Sequence, residues 1–307
     1  EARFTADFRA SEISDEPFGW NLPNWLLRRE FAARIGELPN VSFRPGVATA
    51  GITAREAEAI LRLSDGSQVA ARMVIAADGR GSPVREAIGI GVKTLRYGQK
   101  ALAFAVTHPI PHGNVSTEIH RSGGPFTLVP LPDQNGLPAS AVVWMERGPE
   151  AERLAALPVP AFEAAMNDRS AHALGPLTLA SRRTLWPIIS QIAQRFDAPR
   201  TALVAEAAHV VPPIGAQGLN MSLADIATLL ELARATPERI GDRAMLTAYD
   251  RRRRPDAMMR VAGIDALNRA SMAGAPFLRD ARGAILKLVH GSAPVRRTLM
   301  QAGLGVR

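Results

Sequence analysis

Cysteine is absent from this chain of 307 residues. Its absence excludes disulfides, thiolate nucleophiles, cysteine-ligated zinc and iron–sulfur clusters, and it is compatible with a reducing cytoplasm. The sequence also lacks a run of the roughly 20 apolar residues that a membrane-spanning helix needs, and no signal-peptide pattern opens it. We therefore expect a cytoplasmic protein that is either soluble or attached peripherally to the inner face of a membrane.

Acidic residues are outnumbered by basic ones, 29 to 37, which gives a net charge of +8 at pH 7. A surplus of this sign is typical of proteins that bind nucleic acid or anionic membranes. The longest basic run, 251–254, lies between helix-like stretches, and no aromatic-interleaved basic patch accompanies it. We interpret the run as a solvated helix end and expect no nucleic-acid partner. A nucleic-acid binder stays an alternative that rests on the net charge alone.

Two strand–loop–helix patterns stand out in a composition that is otherwise ordinary for a globular protein, 47% apolar and 21% charged. In the first, the apolar run 73–77 precedes Asp78-Gly79, and Ser82-Pro83 then favours the start of a helix. In the second, the apolar run 201–205 precedes the loop 206–215 and a long helix. One face of that helix carries apolar residues at spacings of three and four, and we predict that this row is core. The row consists of Leu219, Leu223, Ile226, Leu230 and Ala233.

Polar groups follow both predicted strands. In an open α/β sheet the ligand lies beyond the carboxyl ends of the strands, so the Asp78-Gly79 loop and the loop after Glu206 belong to one candidate site if their strands are neighbours. The helix start near Gln217 offers free amides and a positive dipole end. Local alternatives stay open, because Asp-Gly is a common turn and the lone His209 is typical of a hydrogen-bonded structural residue.

Two long segments resemble a known family. The segment VIAADGRGSPVREAIGI is similar to the Asp-Gly motif of flavoprotein aromatic hydroxylases, and ALVAEAAHVVPPIGAQGLNMSLADIATL is similar to their second FAD motif. The stretches NLPNWLLRREF, YGQKALAFAV, GPFTLVPLP and YDRRRRPDAMM resemble further blocks of the family in the same order. The resemblance is strongest to the ubiquinone-biosynthesis hydroxylases, the UbiH/COQ6-type FAD-dependent monooxygenases, and it covers nearly the whole chain.

This resemblance implies that FAD is reduced by NAD(P)H and reacts with O₂ to a flavin C4a-hydroperoxide, which hydroxylates an aromatic ring. The implied substrate is a polyprenyl phenol of ubiquinone biosynthesis, and a soluble phenol is the alternative within the family. Peripheral membrane binding and association with a biosynthetic complex stay open. The chemistry resides in the cofactor, so neither a protein nucleophile nor a metal is expected.

The resemblance also assigns roles to residues. Asp78 and Gly79 would lie along the ribityl-pyrophosphate and the nicotinamide path, and Glu206 would contact the ribityl hydroxyls. The amides of Gly218, Leu219 and Asn220 would stabilise charge on reduced flavin. The implied FAD-binding residues are Asp78, Gly79, Glu206, Pro213, Gly215, Ala216, Gln217, Gly218, Leu219 and Asn220. The implied walls of the substrate pocket are Phe126, Leu128 and Pro130.

The implied fold is α/β, or α+β overall. It comprises a Rossmann-like three-layer FAD-binding domain, an inserted and mostly antiparallel β-sheet substrate domain, and C-terminal helices. We place the FAD-binding domain at 1–95 and 188–260, the substrate domain at 96–187 and the helices at 261–307. Turn residues between short β-like segments from 97 to 147 favour this antiparallel sheet independently of the resemblance.

Two features depart from the family pattern. Ala205-Glu206 replaces the more usual Gly-Asp, and no GxGxxG or βαβ unit precedes Asn24 to hold the ADP half of FAD. The chain also begins at Glu1 rather than methionine. We therefore expect an N-terminally truncated family member. The alternative is a non-catalytic remnant that keeps the fold and serves as an interaction module.

Overall fold

The structure, a computed structural model, describes residues 5–121, 123–272 and 290–304. The chain divides into two compact units, each assembled from separate stretches. The sheet unit comprises 1–38, 98–187 and 269–307, and the α/β unit comprises 39–97 and 188–268. The predicted segment 1–95 is thus divided at residue 38, and the predicted C-terminal segment 261–307 lies partly outside the described residues.

An antiparallel sheet organises the sheet unit. Its strands are the second part of β5 (Val92–Thr107), β6 (Thr117–His120), β7 (Pro125–Gln134) and β8 (Leu137–Arg147), in the order β5-β8-β7-β6, with β9 (Thr178–Leu179) added to β5. Asn135 and Gly136 both have positive φ and join β7 to β8 in a two-residue turn, which is the connection that an Asn-Gly pair favours.

Helices cover one face of this sheet. α3 (Gly148–Ala156) and α4 (Val159–Arg169) contribute Ala151, Leu154, Phe162 and Met166 to a core shared with the sheet. The unit also contains α1 (Asn24–Gly36), which begins after Pro23 and has no buried residue. The apolar spacing of α1 therefore predicted the helix correctly without predicting burial.

The α/β unit contains two small sheets. β1 (Thr49–Ala54), β2 (Ala59–Leu63) and β3 (Gln68–Ala71) form an antiparallel meander. In the second sheet β4 (Val74–Ala76) lies parallel to β12 (Thr201–Leu203), and β11 (Asp197–Ala198) flanks β12. The remaining elements are α2 (Pro83–Ala87), the end of β10 (Thr184–Ala193), β13 (His209–Val210), α5 (Gln217–Ala235) and the first part of α6 (Arg243–Met272); α7 (Ala293–Leu304) lies in the sheet unit.

The prediction about the apolar row of α5 is wrong. Leu219, Leu223, Ile226 and Leu230 are 46–59% exposed in the described structure, and only Ala233 packs partly against the core. The buried face of α5 consists instead of Met221, Asp225 and Leu229. Helical spacing found the helix, but a buried aspartate marks the face that packs inward.

The interpretation of the basic run 251–254 as a helix end is also wrong. These residues lie inside α6, which continues to Met272. Arg251 and Arg252 are exposed, whereas Arg253 is buried. The run therefore contributes arginines both to the exposed face and to the buried face of α6.

Candidate functional site

The two predicted strand ends lie side by side. β4 and β12 pair in parallel with Ala76 opposite Leu203, and the amide of Val204 donates to the carbonyl of Ala76 at 3.0 Å. The loops that contain Asp78 and Glu206 therefore leave the same edge of the sheet, where α/β proteins bind ligands. The condition under which the two loops belong to one candidate site is therefore met.

Asp78 organises the first loop. Its Oδ1 accepts a hydrogen bond from the Ser82 hydroxyl at 2.5 Å, and its Oδ2 accepts one from the Val84 amide at 3.1 Å. Gly79 has a φ of +87° with no atom within 4 Å of a would-be Cβ. Because that side is open, backbone can approach a ligand closely there. The Asp-Gly pair thus forms a turn and also presents bare backbone.

Arg85 joins the two loops, and sequence reasoning missed it. Its side chain is buried, donating from Nη1 to the Ala207 carbonyl at 2.8 Å and from Nη2 to the Arg80 carbonyl at 2.9 Å. One guanidinium therefore links the loop after β4 to the turn that contains Glu206. An arginine in a short polar helix gives no sequence signal of burial, so the pattern alone could not identify it.

Glu206 lies beside the start of α5. Its side chain is exposed in a three-residue 3-10 turn, Ala205–Ala207. A cavity of about 270 Å³ is lined by Glu206, His209, Val210, Val211, Gly218, Leu219 and Ser222. The structure therefore brings three predicted residues, Glu206, Gly218 and Leu219, to one cavity.

The N-terminus of α5 has free donors. Gly215 and Ala216 have φ values of +66° and +51°, which turn the chain sharply into the helix, and no side chain caps it. The first amides of an α-helix have no acceptor inside the helix, and they carry the positive end of its dipole. The amides of Gly218, Leu219 and Asn220 can therefore bind an acceptor group that carries negative charge.

A buried ion-pair network supports this arrangement from behind. Asp225 on α5 is fully buried, and its Oδ2 accepts from His209 Nε2 at 2.7 Å and from the Ala205 amide at 3.0 Å. Its Oδ1 accepts from Arg253 Nε at 2.9 Å, and Arg253 also pairs with Asp256 at 2.7 Å. Asp225 thus fixes the Glu206 turn to α5 and α6, and His209 is the hydrogen-bonded structural residue that was expected.

Electrostatics keep the Arg253 guanidinium of this network charged. Burial disfavours the cation of Arg253, but hydrogen bonds and charge attraction from Asp225 and Asp256 outweigh it and raise the pKa of its guanidinium. Tyr249 on α6 donates its hydroxyl to the Leu203 carbonyl at 2.8 Å, and burial raises the pKa of this phenol. The Arg253 guanidinium therefore stays protonated, and the Tyr249 hydroxyl keeps the proton that it donates to the end of β12.

The predicted substrate walls belong to the core of the sheet unit. Phe126 and Leu128 are 0 and 1% exposed and pack with Trp144 and the helices, and Pro130 is buried as well. Side chains alternate between the faces of a strand. The opposite face of the sheet, away from α3 and α4, therefore carries the intervening residues Thr127 and Val129.

The neighbours of Thr127 and Val129 are small and apolar. Register places Val143 beside Thr127 and Ala141 beside Val129 on β8, with Ala103 and Ala105 beyond them on β5. These side chains are half-buried in the sheet unit. They form a smooth apolar surface to which a flat hydrophobic molecule can bind.

Comparison with known proteins identifies the family. The model of the family described as "FAD binding domain" matches residues 22–262. The chain belongs to this family. It is 36% identical over 296 residues to the ubiquinone hydroxylase UbiL of Rhodospirillum rubrum, covering 94% of this chain and 67% of UbiL. It is 24% identical over 302 residues to the 3-demethoxyubiquinol 3-hydroxylase of Escherichia coli, covering 97% and 76%.

Solved structures share the fold. p-Nitrophenol 4-monooxygenase PnpA from Pseudomonas putida superposes with a TM-score of 0.74 at 19% identity, covering 91% of this chain and 71% of PnpA. The OxyS anhydrotetracycline hydroxylase of Streptomyces rimosus gives 0.68 at 20%, covering 93% and 57%. The predicted mixed α/β fold and the predicted UbiH/COQ6-type family are thus confirmed. The chain spans 67% of UbiL and 57% of OxyS in length.

No helix within the residues that the structure describes is long and apolar enough to cross a membrane. No cluster of three or more histidine, aspartate or glutamate side chains within them could hold a metal ion.

Proposed function

We propose that this protein is an FAD-dependent monooxygenase that hydroxylates an aromatic ring in ubiquinone biosynthesis, with NAD(P)H and O₂ as co-substrates. The observation that carries the proposal is the convergence of Glu206 and the uncapped start of α5 on one cavity, beside the Asp78 loop. Family membership gives the cofactor, and the ubiquinone hydroxylases among the relatives give the pathway. When bound, FAD supplies the electron transfer and the activation of oxygen.

The residues present fit a flavin. Carboxylate oxygens at Glu206 accept hydrogen bonds from sugar-like hydroxyls, and the free amides of Gly218, Leu219 and Asn220 suit the electron-rich edge of an isoalloxazine ring. Open backbone at Gly79 and Gly215 leaves space for the cofactor, with Pro213, Ala216 and Gln217 completing the second loop. Asp78 acts chiefly by holding its loop, because both of its oxygens already accept hydrogen bonds.

For the substrate we propose the face of the sheet away from α3 and α4, at Thr127, Val129, Ala141 and Val143, in place of Phe126, Leu128 and Pro130. Small apolar side chains exclude water and accept an aromatic ring on its flat face. The proposed substrate is a polyprenyl phenol, and a soluble phenol is the second candidate. A lipid-tailed substrate would require peripheral contact with a membrane or with a lipid-binding partner.

Flavin titration tests this function. Quenching of flavin fluorescence would be measured with FAD and riboflavin on the wild-type chain, Glu206→Ala and Glu206→Gln. We expect Glu206→Ala to weaken binding by about tenfold, since it removes a charged hydrogen-bond acceptor, and Glu206→Gln to retain most affinity. Glu231→Ala, an exposed glutamate on α5, is the matched control.

Turnover separates the substrate candidates. NAD(P)H oxidation would be followed with a short-chain polyprenyl phenol and with a soluble phenol, and the hydroxylated product identified by mass spectrometry. Faster product formation from the prenylated ring supports the ubiquinone branch. If no flavin binds and Glu206→Ala changes nothing, the interaction-module alternative replaces the proposed enzyme.

A further inference from the structure

A second and larger cavity lies at the opposite end of the parallel strands. Arg200 directly precedes β12, whereas Glu206 follows it, and Arg200 lines a cavity of about 910 Å³ together with the first turns of α6. A three-residue strand spans about 10 Å, so the two cavities occupy opposite edges of the same small sheet. The larger cavity is therefore separate from the proposed flavin loops.

Positive charge dominates the lining. Its cationic side chains are Arg200, Arg239, Arg243, Arg251 and Arg252, and its acidic side chains are Glu56 and Asp242. Cations thus outnumber anions in this cavity, and its volume is large enough for a ligand the size of a nucleotide. Concave surfaces that carry charge of one sign concentrate ligands of the opposite sign.

Three of these arginines are already engaged. Arg200 donates to the Glu56 carbonyl at 2.8 Å, Arg239 pairs with Asp242 at 2.6 Å, and Arg252 pairs with Glu231 at 2.8 Å. Within the ranges that the structure describes, the guanidinium groups of Arg243 and Arg251 have neither a hydrogen bond nor an ion pair. Two guanidinium groups at the cavity are therefore available to a ligand.

The free arginines share one helix face. Arg243, Thr247 and Arg251 follow each other at intervals of four residues on α6, so they lie along one side of the helix, with their outer Cα atoms about 12 Å apart. Guanidinium groups match phosphate oxygens in charge and in two-pronged geometry. The Thr247 hydroxyl lies midway and can donate a further hydrogen bond.

We propose that this cavity binds phosphate groups through Arg243 and Arg251, with Thr247 between them. Two cations at this separation fit a ligand with more than one phosphate, or two neighbouring phospholipid head groups. The proposal does not depend on the assigned monooxygenase activity, because its residues are remote from the Glu206 cavity along β12.

Binding of inorganic pyrophosphate, measured by isothermal titration calorimetry on the full chain without flavin, tests the site. Arg243→Gln/Arg251→Gln is the cavity variant. Arg44→Gln/Arg96→Gln, which replaces two exposed arginines of the same unit outside the cavity, is the charge-matched control. We expect about tenfold weaker binding for each cavity guanidinium lost and an unchanged affinity in the control.

Vesicles of phosphatidylcholine with and without phosphatidylglycerol distinguish the source of the phosphate. Binding of pyrophosphate alone assigns a soluble ligand, and cavity-dependent binding of the anionic vesicles assigns a lipid head group. Equal losses in the cavity variant and the control would show diffuse attraction to the net charge and overturn the site, as would the absence of binding to either probe. Circular dichroism confirms that both variants are folded.

Discussion

Ala205 shows how a single residue departs from what its backbone favours. Its φ is +53°, in the left-handed region, and its amide is held by Asp225 at 3.0 Å. A non-glycine residue in this region costs about 1–2 kcal/mol. The Ala-Glu pair that differs from the usual Gly-Asp therefore carries backbone strain beside the proposed flavin site.

Ala205→Gly should relieve this strain. Glycine also adds conformational freedom to the unfolded chain, which offsets part of the gain, so we expect the free energy of unfolding to rise by about 0.5–1 kcal/mol. Urea denaturation followed by circular dichroism measures it. Ala208→Gly, at a φ of −95°, should lower stability, and equal effects at both positions would contradict the strain argument.

Asp225 is a residue whose importance depends on its burial. Asp225→Asn leaves Arg253 buried with a weaker partner and disturbs the hydrogen bond to His209, so it should lower the free energy of unfolding by about 3–5 kcal/mol. Glu231→Gln, which breaks the exposed pair with Arg252, should cost less than about 1 kcal/mol. The two urea midpoints provide the comparison, and similar midpoints would refute a dominant role for the buried carboxylate.

At the scale of residues, the sequence predicted where site residues lie better than it predicted which groups the buried side chains contact. Asp78, Gly79 and Glu206 could be placed because residue type and strand ends together predict a ligand edge. Arg85 and Asp225 could not, since an arginine and an aspartate in amphipathic helices are typical of surfaces. Only the fold shows that both side chains are buried. Carbonyl groups accept hydrogen bonds from Arg85, and the imidazole and guanidinium partners bind Asp225.

At the scale of elements, α5 shows that the spacing of apolar residues can predict a helix without predicting which of its faces is buried. Two apolar rows run along it, and the row with more leucines is the exposed one. The inward row includes Asp225, whose charge is compensated by its ion pairs. A hydrophobicity pattern counts that aspartate against burial, so the sequence could locate the helix but not its orientation.

Alanine substitutions on α5 test this orientation. Leu229→Ala removes a leucine that is 4% exposed and should lower the free energy of unfolding by about 2–5 kcal/mol. Leu223→Ala, at 51% exposure, should change it by less than about 0.5 kcal/mol. Thermal and urea unfolding of both variants measure these changes. A larger loss of stability for Leu223→Ala than for Leu229→Ala would show that the row predicted from the sequence is the buried one.

In β7 too, the residue pattern, here with a period of two, located the element without showing which face is buried. The pattern located the strand and its apolar content, but both faces of β7 carry apolar residues. Which face receives α3 and α4 is decided by the later segment 148–169, through Leu154, Phe162 and Met166. A strand considered alone therefore could not show that Phe126 packs inward and Val129 does not.

At the scale of the whole molecule, a buried histidine makes the folding stability depend on pH near neutrality. His108 is 2% exposed; its ring contacts the Ile110 carbonyl at 2.8 Å and the Ser140 hydroxyl at 2.9 Å. Burial lowers its pKa below the usual 6.5, His112 adds to this, and the Ile110 carbonyl and Asp133 oppose it. The unfolded chain therefore binds this proton more tightly than the folded one.

Stability should accordingly fall as the pH falls. The contribution of neutral His108 is present above pH 6.5, the ordinary value, and is lost as the pH drops through the lower pKa of the folded state. Urea unfolding between about pH 7 and about pH 5 should show this slope. His108→Gln should flatten it. A slope that survives His108→Gln would assign the effect to another group.

The parallel pairing of β4 with β12 also has a consequence for synthesis. Arg72 and Arg200, which precede these strands, are 128 residues apart in the chain, whereas the turn between β7 and β8 is closed by two residues. At about 5–20 residues per second on a ribosome, β4 waits on the order of ten seconds for its partner, long after the β7–β8 hairpin can form. The edge that carries the proposed flavin loops is therefore completed late, and β4 stays unpaired until β12 has been synthesised.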